Sequence, residues 1–370
     1  MIELQQCSTS PDLLWVITTY FNPSSYSSRL RNYRHFRRAL QAPLVTVELS
    51  FTNHFDLTEP DADILVQLSS DCVVWQKERL LNIALSHVPR TAPFVVWLDC
   101  DVVLGSVTWI TETVSRLEKH MIVQPFSDIY DLRRNEMPDH SSVTTRPPST
   151  KSMGYKVSRT ACSITDFAPS STGSASAGLP GRSLFESHGF YDAIILGSGD
   201  RMIMYAAFNK FDEAVRCVDL NAKQVSHYLR WARPFAEAAC SDVSYVDGPL
   251  YHLWHGDLAD RRYTERYRDL RPFGFDPATD LIVAPNGSWS WATDRPELRQ
   301  YCQNYFSCRN EDGHDPHCSH SLSRERTPRS RRSGAYSLYI PRTPFQSLDF
   351  SATPRRAPTF TSAARVSSGR

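Results

Sequence analysis

Phe94-Val95-Val96-Trp97-Leu98-Asp99-Cys100-Asp101-Val102-Val103-Leu104 is the stretch on which the reading of this chain turns. Its opening apolar run, mostly β-branched or aromatic, reads as a strand buried on both faces. Two carboxylates close that run, where an uncompensated charge is costly. Acids at i and i+2 on a strand point the same way, so Asp99 and Asp101 could both address one hard divalent cation. A cation held there would neutralise a diphosphate. A second D-x-D, Asp61-Ala62-Asp63, follows Pro60 and ends no long apolar run. Context, not the triplet, singles out Asp99 and Asp101.

Upstream, Leu13 to Tyr20 reads as the first buried strand, and Asn22-Pro23-Ser24-Ser25 supplies helix-start chemistry. Leu30, Tyr33, Phe36 and Leu40 then recur at helical spacing. Arg29, Arg31, Arg34 and Arg38 fall largely outside that stripe and read as a solvated face, with one near the helix start placed to reach a phosphate. Strands are expected at 44–51 and 64–68. Ser69-Ser70-Asp71 is expected to cap a helix over 74–87 that buries Leu80, Leu81, Ala84 and Leu85. Downstream, a helix over 107–117 and a strand over 121–125 continue the alternation. Strands alternating with helices imply an α/β fold with a mostly parallel sheet covered on both faces. Ligands in such sheets sit at the carboxyl ends of strands, which is where Asp99 and Asp101 lie.

Residues 135–182 are dense in Ser, Thr, Pro and Gly and read as a long, partly mobile insertion. Ordered sequence resumes at Leu184 to Leu196, followed by Gly197-Ser198-Gly199-Asp200 and a helix over 201–208 with Asp200 as its cap. A strand-like segment over 245–254 ends in His252-Leu253-Trp254-His255-Gly256, and a helix is expected over 261–270.

The 370 residues, 41% hydrophobic and 11% aromatic, are enough for one large domain or two small ones. The net charge of +1 hides an asymmetry. Ser319 to Arg370 holds ten Arg, no Lys and two acids, about +8, which leaves about −7 on the remainder. That tail reads as disordered, and the mildly acidic body does not suggest a nucleic-acid binder. No apolar run is long enough to span a membrane, and no secretory leader is visible. The nine Cys are scattered without a C-x-x-C pair, which fits reduced thiols in a cytoplasmic protein. Cys302, Cys308 and Cys318 lie near His314, His317 and His320, but their spacings match no common zinc pattern, and a loose polar segment is the better reading.

Among the chemistry-bearing residues, Asp99 and Asp101 are hard oxygen donors suited to Mg²⁺ or Mn²⁺. His252 or His255 could add an imidazole ligand. Alone, the pair would equally fit an aromatic cluster with Tyr251 and Trp254. Arg261 and Arg262 could meet a diphosphate as charge-assisted donors. Glycines at 197 and 199 let the backbone approach a ligand, and a carboxylate at Asp200 could take a proton from an attacking hydroxyl, unless it is simply a helix cap. No P-loop, G-x-G-x-x-G, G-x-S-x-G or H-E-x-x-H pattern is present.

In their order, these features resemble a GT-A-fold, family-2-like glycosyltransferase that uses nucleotide-diphosphate sugars. The likeness rests on the strand-helix opening, Trp75-Gln76-Lys77-Glu78-Arg79, Trp97-Leu98-Asp99-Cys100-Asp101, Gly189-Phe190-Tyr191-Asp192, Leu196 to Asp200, and His252 to Gly256 with Arg261 and Tyr263. It implies a Rossmann-like GT-A domain over 11–312, with the insertion at 135–182 and the tail at 319–370. Thr18, Tyr20 and Asn22 would line the nucleotide pocket. Lys77, Arg79 or Asn82 would face the nucleotide or its phosphates. Asp99 would contact the ribose or a metal-bound water, Asp101 would ligate the metal, and His252 or His255 would be the remaining ligand. Asp200 resembles the acceptor-side base of inverting members. The donor would be a nucleotide-diphosphate sugar, and the acceptor a hydroxyl on a glycan, lipid or protein. Ser176 to Arg182 matches the family's segment before Gly-Tyr-Asp only loosely, which leaves the sugar open. Two other readings use the same site: a nucleotidyltransferase making the activated sugar, and a non-catalytic nucleotide-sugar-binding protein.

Overall fold

A computed structural model describes residues 13–138, 145–159, 175–177, 179–263 and 265–313. Its frame is set by strands whose side chains alternate between two apolar layers. Ile17, Val45, Val47, Val95 and Trp97 face one layer, and Val16, Leu44, Val96 and Leu98 face the other. A period of two with both faces buried is what a sheet covered on both sides requires.

The chain runs β1 (Leu14–Phe21), α1 (Ser27–Ala39), β2 (Leu44–Ser50), β3 (Ile64–Ser69), α2 (Lys77–His87), β4 (Phe94–Trp97), β5 (Val102–Leu104), α3 (Trp109–Leu117), β6 (Ile122–Gln124) and β7 (Asp128–Asp131). It continues through β8 (Thr150–Lys151), α4 (Met153–Arg159), β9 (Ala175–Ala177), α5 (Leu179–His188), α6 (Gly199–Ala207), α7 (Phe211–Val218), α8 (Ala222–Ala239), β10 (Val243–Tyr245) and β11 (Pro249–His252). Last come α9 (Glu265–Leu270), α10 (Pro277–Asp280), β12 (Leu281–Val283), β13 (Trp289–Trp291) and α11 (Pro296–Ser307). The main sheet has seven strands in the order β10-β6-β9-β4-β1-β2-β3. All its pairings are parallel except those of β9, which runs antiparallel between β4 and β6. Residues from α2, α6 and α8 cover one face, and residues from α1 and α3 cover the other. The expected α/β class and mostly parallel sheet are therefore the observed ones.

A second sheet, ordered β5-β11-β7-β8, lies at the carboxyl end of β4. The chain leaves β4 at Trp97, turns through 98–101 and enters this sheet at Val102. Asp99 and Asp101 thus lie on a turn, so the alternation that would point both acids the same way does not apply to them.

Other boundaries move too. Ser69-Ser70-Asp71 does not cap α2, which starts at Lys77 after Gln76. The 135–182 segment holds β8, α4, β9 and the start of α5, so its polar composition conceals strands that complete both sheets. Nothing in the sequence reading anticipated α7 or α8. The latter carries a legible capping box, with Asn221 accepting from Lys223 and Gln224 backbone N–H groups and Gln224 reaching back to Asn221. The Arg-rich tail, and His314, His317, Cys318 and His320 of the weighed zinc cluster, lie outside the described residues. Cys302 is buried in the core. No described helix is long and apolar enough to cross a membrane.

Candidate active site

Strand register builds the first half of the site. In the second sheet His252 pairs with Val102 on β5 and with Asp131 on β7. The ladder continues one step further, with Leu253 N–H donating to the Asp101 carbonyl at 2.8 Å. This brings Asp101 beside both histidines: its carboxylate lies 3.7 Å from His252 Nε2 and 3.3 Å from His255 Nδ1. The imidazole rings meet edge to face at 4.9 Å between centroids. One ligand atom from each of Asp101, His252 and His255 falls within 4.8 Å of the others.

This donor set fits a divalent cation. Asp101 Oδ1 is buried and, among the described residues, lacks a hydrogen-bond partner, which is costly for a carboxylate oxygen unless something is to bind it. His252 Nδ1 sits 2.9 Å from Asp131 Oδ1, leaving Nε2 turned toward Asp101. A carboxylate on the far nitrogen is the usual way a metal-binding imidazole is oriented. Burial opposes a charge on His252, but the Asp131 hydrogen bond and the Asp101 charge outweigh it and raise its pKa. Asp131 is correspondingly held low, against its own burial, by the His252 hydrogen bond. His255 goes the other way: burial, then Arg261, His252, Arg309 and Arg29, push its pKa well down, so it stays a neutral potential ligand.

Asp99 points elsewhere. Its carboxylate meets Lys77 Nζ at 2.6 Å, at the start of α2. Burial raises the Asp99 pKa, with Asp101 and Asp200 adding to the effect and Lys77 opposing it. Burial also disfavours the Lys77 ammonium, but Asp99, Asp200 and Glu78 more than compensate and raise its pKa.

The second half comes from α6 and its approach. Gly197 and Ser198 both have positive φ, at 85° and 83°, and Asp200 sits in the first turn of α6 rather than at its cap. Gly199 is required by packing: a Cβ there would collide with the Glu78 carboxyl. Glu78 is 2% exposed, and its Oε1 has no hydrogen-bond partner. Burial, opposed by Lys77 and reinforced by Asp200, lifts its pKa to about 8.

Asp99, Asp101, Asp200, Lys77, Glu78, His252, His255, Arg261 and Tyr263 line one open cleft, together with Thr19, Phe21, Trp75, Ser198, Arg29, Arg201, Arg266 and Arg309. Its basic wall is held by a buried network. Glu311 accepts from Arg29 at 2.5 Å and Arg309 at 2.5 Å, while Arg309 and Arg266 both donate to Tyr305 Oη. Burial would raise the Tyr305 pKa, but Arg266 and Arg309 lower it. Gly256, at φ 86°, lets this segment close in, because a Cβ there would meet the Arg309 carbonyl at 2.7 Å.

Lys77, Asp99, Asp101, His252, His255, Arg261 and Asp200 are thus brought together, and both histidines, not one, flank Asp101. Five other expected site residues are not in the cleft. Thr18 and Tyr20 lie on the opposite face of β1, where Thr18 donates to Leu98 and Tyr20 to Asp56; Thr19 and Phe21 face the cleft instead. Asn22 closes the turn before α1 through two bonds to Tyr26. Arg79 bonds the Gly287 carbonyl and Asp192 and lies over Trp289. Asn82 holds the Phe190 backbone and Asp192. Arg262, weighed as a diphosphate donor, pairs with Asp269 on the surface. Glu78, Asp131, Arg266, Arg309 and Glu311 escaped the sequence reading, because helix or strand spacing gives no sign that they converge. Of the four arginines read as a largely solvated face, Arg29 lines the cleft.

No protein-family model matches the chain, and no curated protein does. Solved structures similar to it include glucosyl-3-phosphoglycerate synthase of M. tuberculosis, at 13% identity and a TM-score of 0.34 over 78% of this chain and 91% of that one. S. aureus TarS 1-349 is similar at 9% identity and a TM-score of 0.35 over 84% of this chain and 75% of that one. The M. tuberculosis synthase in complex with Mn²⁺, uridine-diphosphate and phosphoglyceric acid is similar at 14% identity and a TM-score of 0.33 over 78% and 90%.

Proposed function

We propose that this protein is a metal-dependent glycosyltransferase that moves a sugar from a nucleotide-diphosphate donor to a hydroxyl acceptor, with inversion. One observation carries the reading: Asp101, His252 and His255 converge in a basic cleft that also holds Asp200. Asp101, His252 and His255 would hold the cation, Mn²⁺ or Mg²⁺. Bound there, it would offset charge building on the leaving diphosphate. Arg261, 4% exposed and donating to Tyr263 Oη through Nη1, adds charge-assisted donors on the same side. Asp99, paired with Lys77 in the cleft, would meet the donor's ribose. Asp200, on the α6 wall, takes the proton of the attacking hydroxyl. An attack on the face opposite the departing diphosphate would invert the anomeric centre.

The test is a panel of nucleotide-diphosphate sugars screened for thermal stabilisation with and without Mn²⁺. One donor should raise the melting temperature only with the metal, and Asp101→Asn should remove the gain. Slow hydrolysis of that donor should then release a sugar of inverted configuration, read by NMR. Retained configuration contradicts the role of Asp200. No metal-dependent stabilisation by any donor contradicts the whole reading, and binding without transfer or hydrolysis reduces it to a nucleotide-sugar-binding protein.

A further inference from the structure

Arg266 is 3% exposed and lines the cleft. It donates to Tyr305 Oη at 2.6 Å and to Ser198 Oγ at 2.5 Å. A guanidinium carries five N–H donors, and the Arg266 Nε has no hydrogen-bond partner among the described residues. Among the described residues no carboxylate lies within ion-pair distance of it. Three tyrosine rings offset part of the cost of burying this guanidinium, and an anion would complete it. Of the other cations of the cleft, three are paired with acids, while Arg201 donates to Cys217 Sγ on α7. Lys77 has Asp99, and Arg29 and Arg309 share Glu311. Arg261 also lacks a carboxylate, but it sits on the metal side, where its charge depresses His255 and Asp131. Arg266 instead lies over the rings of Tyr263, Tyr267 and Tyr305, and its Nη2 reaches Ser198 in the turn that leads into Asp200. Arg261, beside the metal residues, and Arg266, at the turn into Asp200, both line the cleft, and the donor diphosphate needs only the first.

We propose that the acceptor carries an oxyanion, phosphate or carboxylate, which Arg266 holds beside Asp200. This rests on the glycosyl-transfer reading. An arginine fork fits both oxyanions, and anchoring one there leaves a hydroxyl of the same molecule to approach Asp200.

The experiment titrates inorganic phosphate, and separately acetate, into protein loaded with Mn²⁺ and whichever of UDP, GDP, ADP, CDP or dTDP stabilises it most. Saturable binding of either anion to the loaded protein is expected, and the tighter one names the acceptor's group. Arg266→Met should weaken that binding roughly tenfold or more while Mn²⁺–nucleotide binding persists. Should the Met variant fail to fold, Arg266→Lys decides: an ammonium lacks the fork, so affinity should still fall. The proposal is overturned if neither anion binds the loaded protein, if nucleotide and anion compete for one position, or if both variants bind like wild type. If no nucleotide binds with Mn²⁺, the glycosyl-transfer reading and the acceptor role fall together. Arg266-dependent phosphate binding to unloaded protein would then uphold the anion site alone.

Discussion

Replacing Glu311 by Gln should cost about 3 kcal/mol of folding stability at neutral pH, and two arguments converge on that size. Glu311 is fully buried and clamps Arg29, from the start of α1, to Arg309, beyond α11. Burial would raise its pKa, but the two guanidiniums hold it at about 2 instead of 4.5. A carboxyl depressed that far favours the folded state by about 3 kcal/mol once both states are ionised. Independently, removing one partner of a buried ion pair costs roughly 3–5 kcal/mol, because the remaining charge is left uncompensated. The sign in pH follows. The contribution is complete above the unfolded value near 4.5 and is lost as pH falls toward about 2. Urea denaturation of wild type and Glu311→Gln, followed by tryptophan fluorescence at pH 7 and near pH 3, measures both. The gap should be largest at pH 7 and should shrink in acid. A difference under about 1 kcal/mol at pH 7, or one that grows in acid, would show that Glu311 does not hold the basic wall together.

Other variants separate the roles within the cleft. Asp131→Asn should weaken Mn²⁺ binding roughly 10–100-fold by releasing His252, and calorimetric affinity equal to wild type would remove Asp131 from the account. Asp200→Asn should abolish transfer while Mn²⁺-dependent nucleotide binding stays within a few-fold; lost binding would place Asp200 on the donor side. Glu78, with its pKa lifted to about 8, keeps a proton in the folded state that the unfolded chain gives up near 4.5. Wild-type stability should therefore decline between those two pH values relative to Glu78→Gln, and parallel stability–pH curves for the two proteins would contradict the burial argument.

Much of the fold was legible, for a physical reason. Phe94 to Leu98 and Leu14 to Phe21 are buried on both faces, so their apolar runs are continuous and announce a parallel sheet. Side-chain facing was harder to read. Where β1 meets the cleft, Thr19 and Phe21 face it while Thr18 and Tyr20 do not, and a one-residue error in parity reverses every assignment on the strand. The metal-ligand candidates Asp101, His252 and His255 were legible as residue types, but the turn over 98–101 that separates Asp99 from Asp101 was not. Arg79 and Asn82, which the resemblance placed at the nucleotide, bond Gly287, Asp192 and Phe190 instead, partners that no local pattern reveals. Arg266, Arg309 and Glu311 come together only through the tertiary packing of α9 and α11 against α1 and the cleft, for which local sequence carries no signal.

Calorimetry of nucleoside diphosphate binding, with and without Mn²⁺, on wild type and Asp101→Ala bears most directly on the central claim that Asp101, His252 and His255 seat a cation for the donor. Binding should require Mn²⁺ in wild type and disappear in the variant. Equal affinity without metal, or Mn²⁺-dependent binding that survives the loss of Asp101, would contradict it.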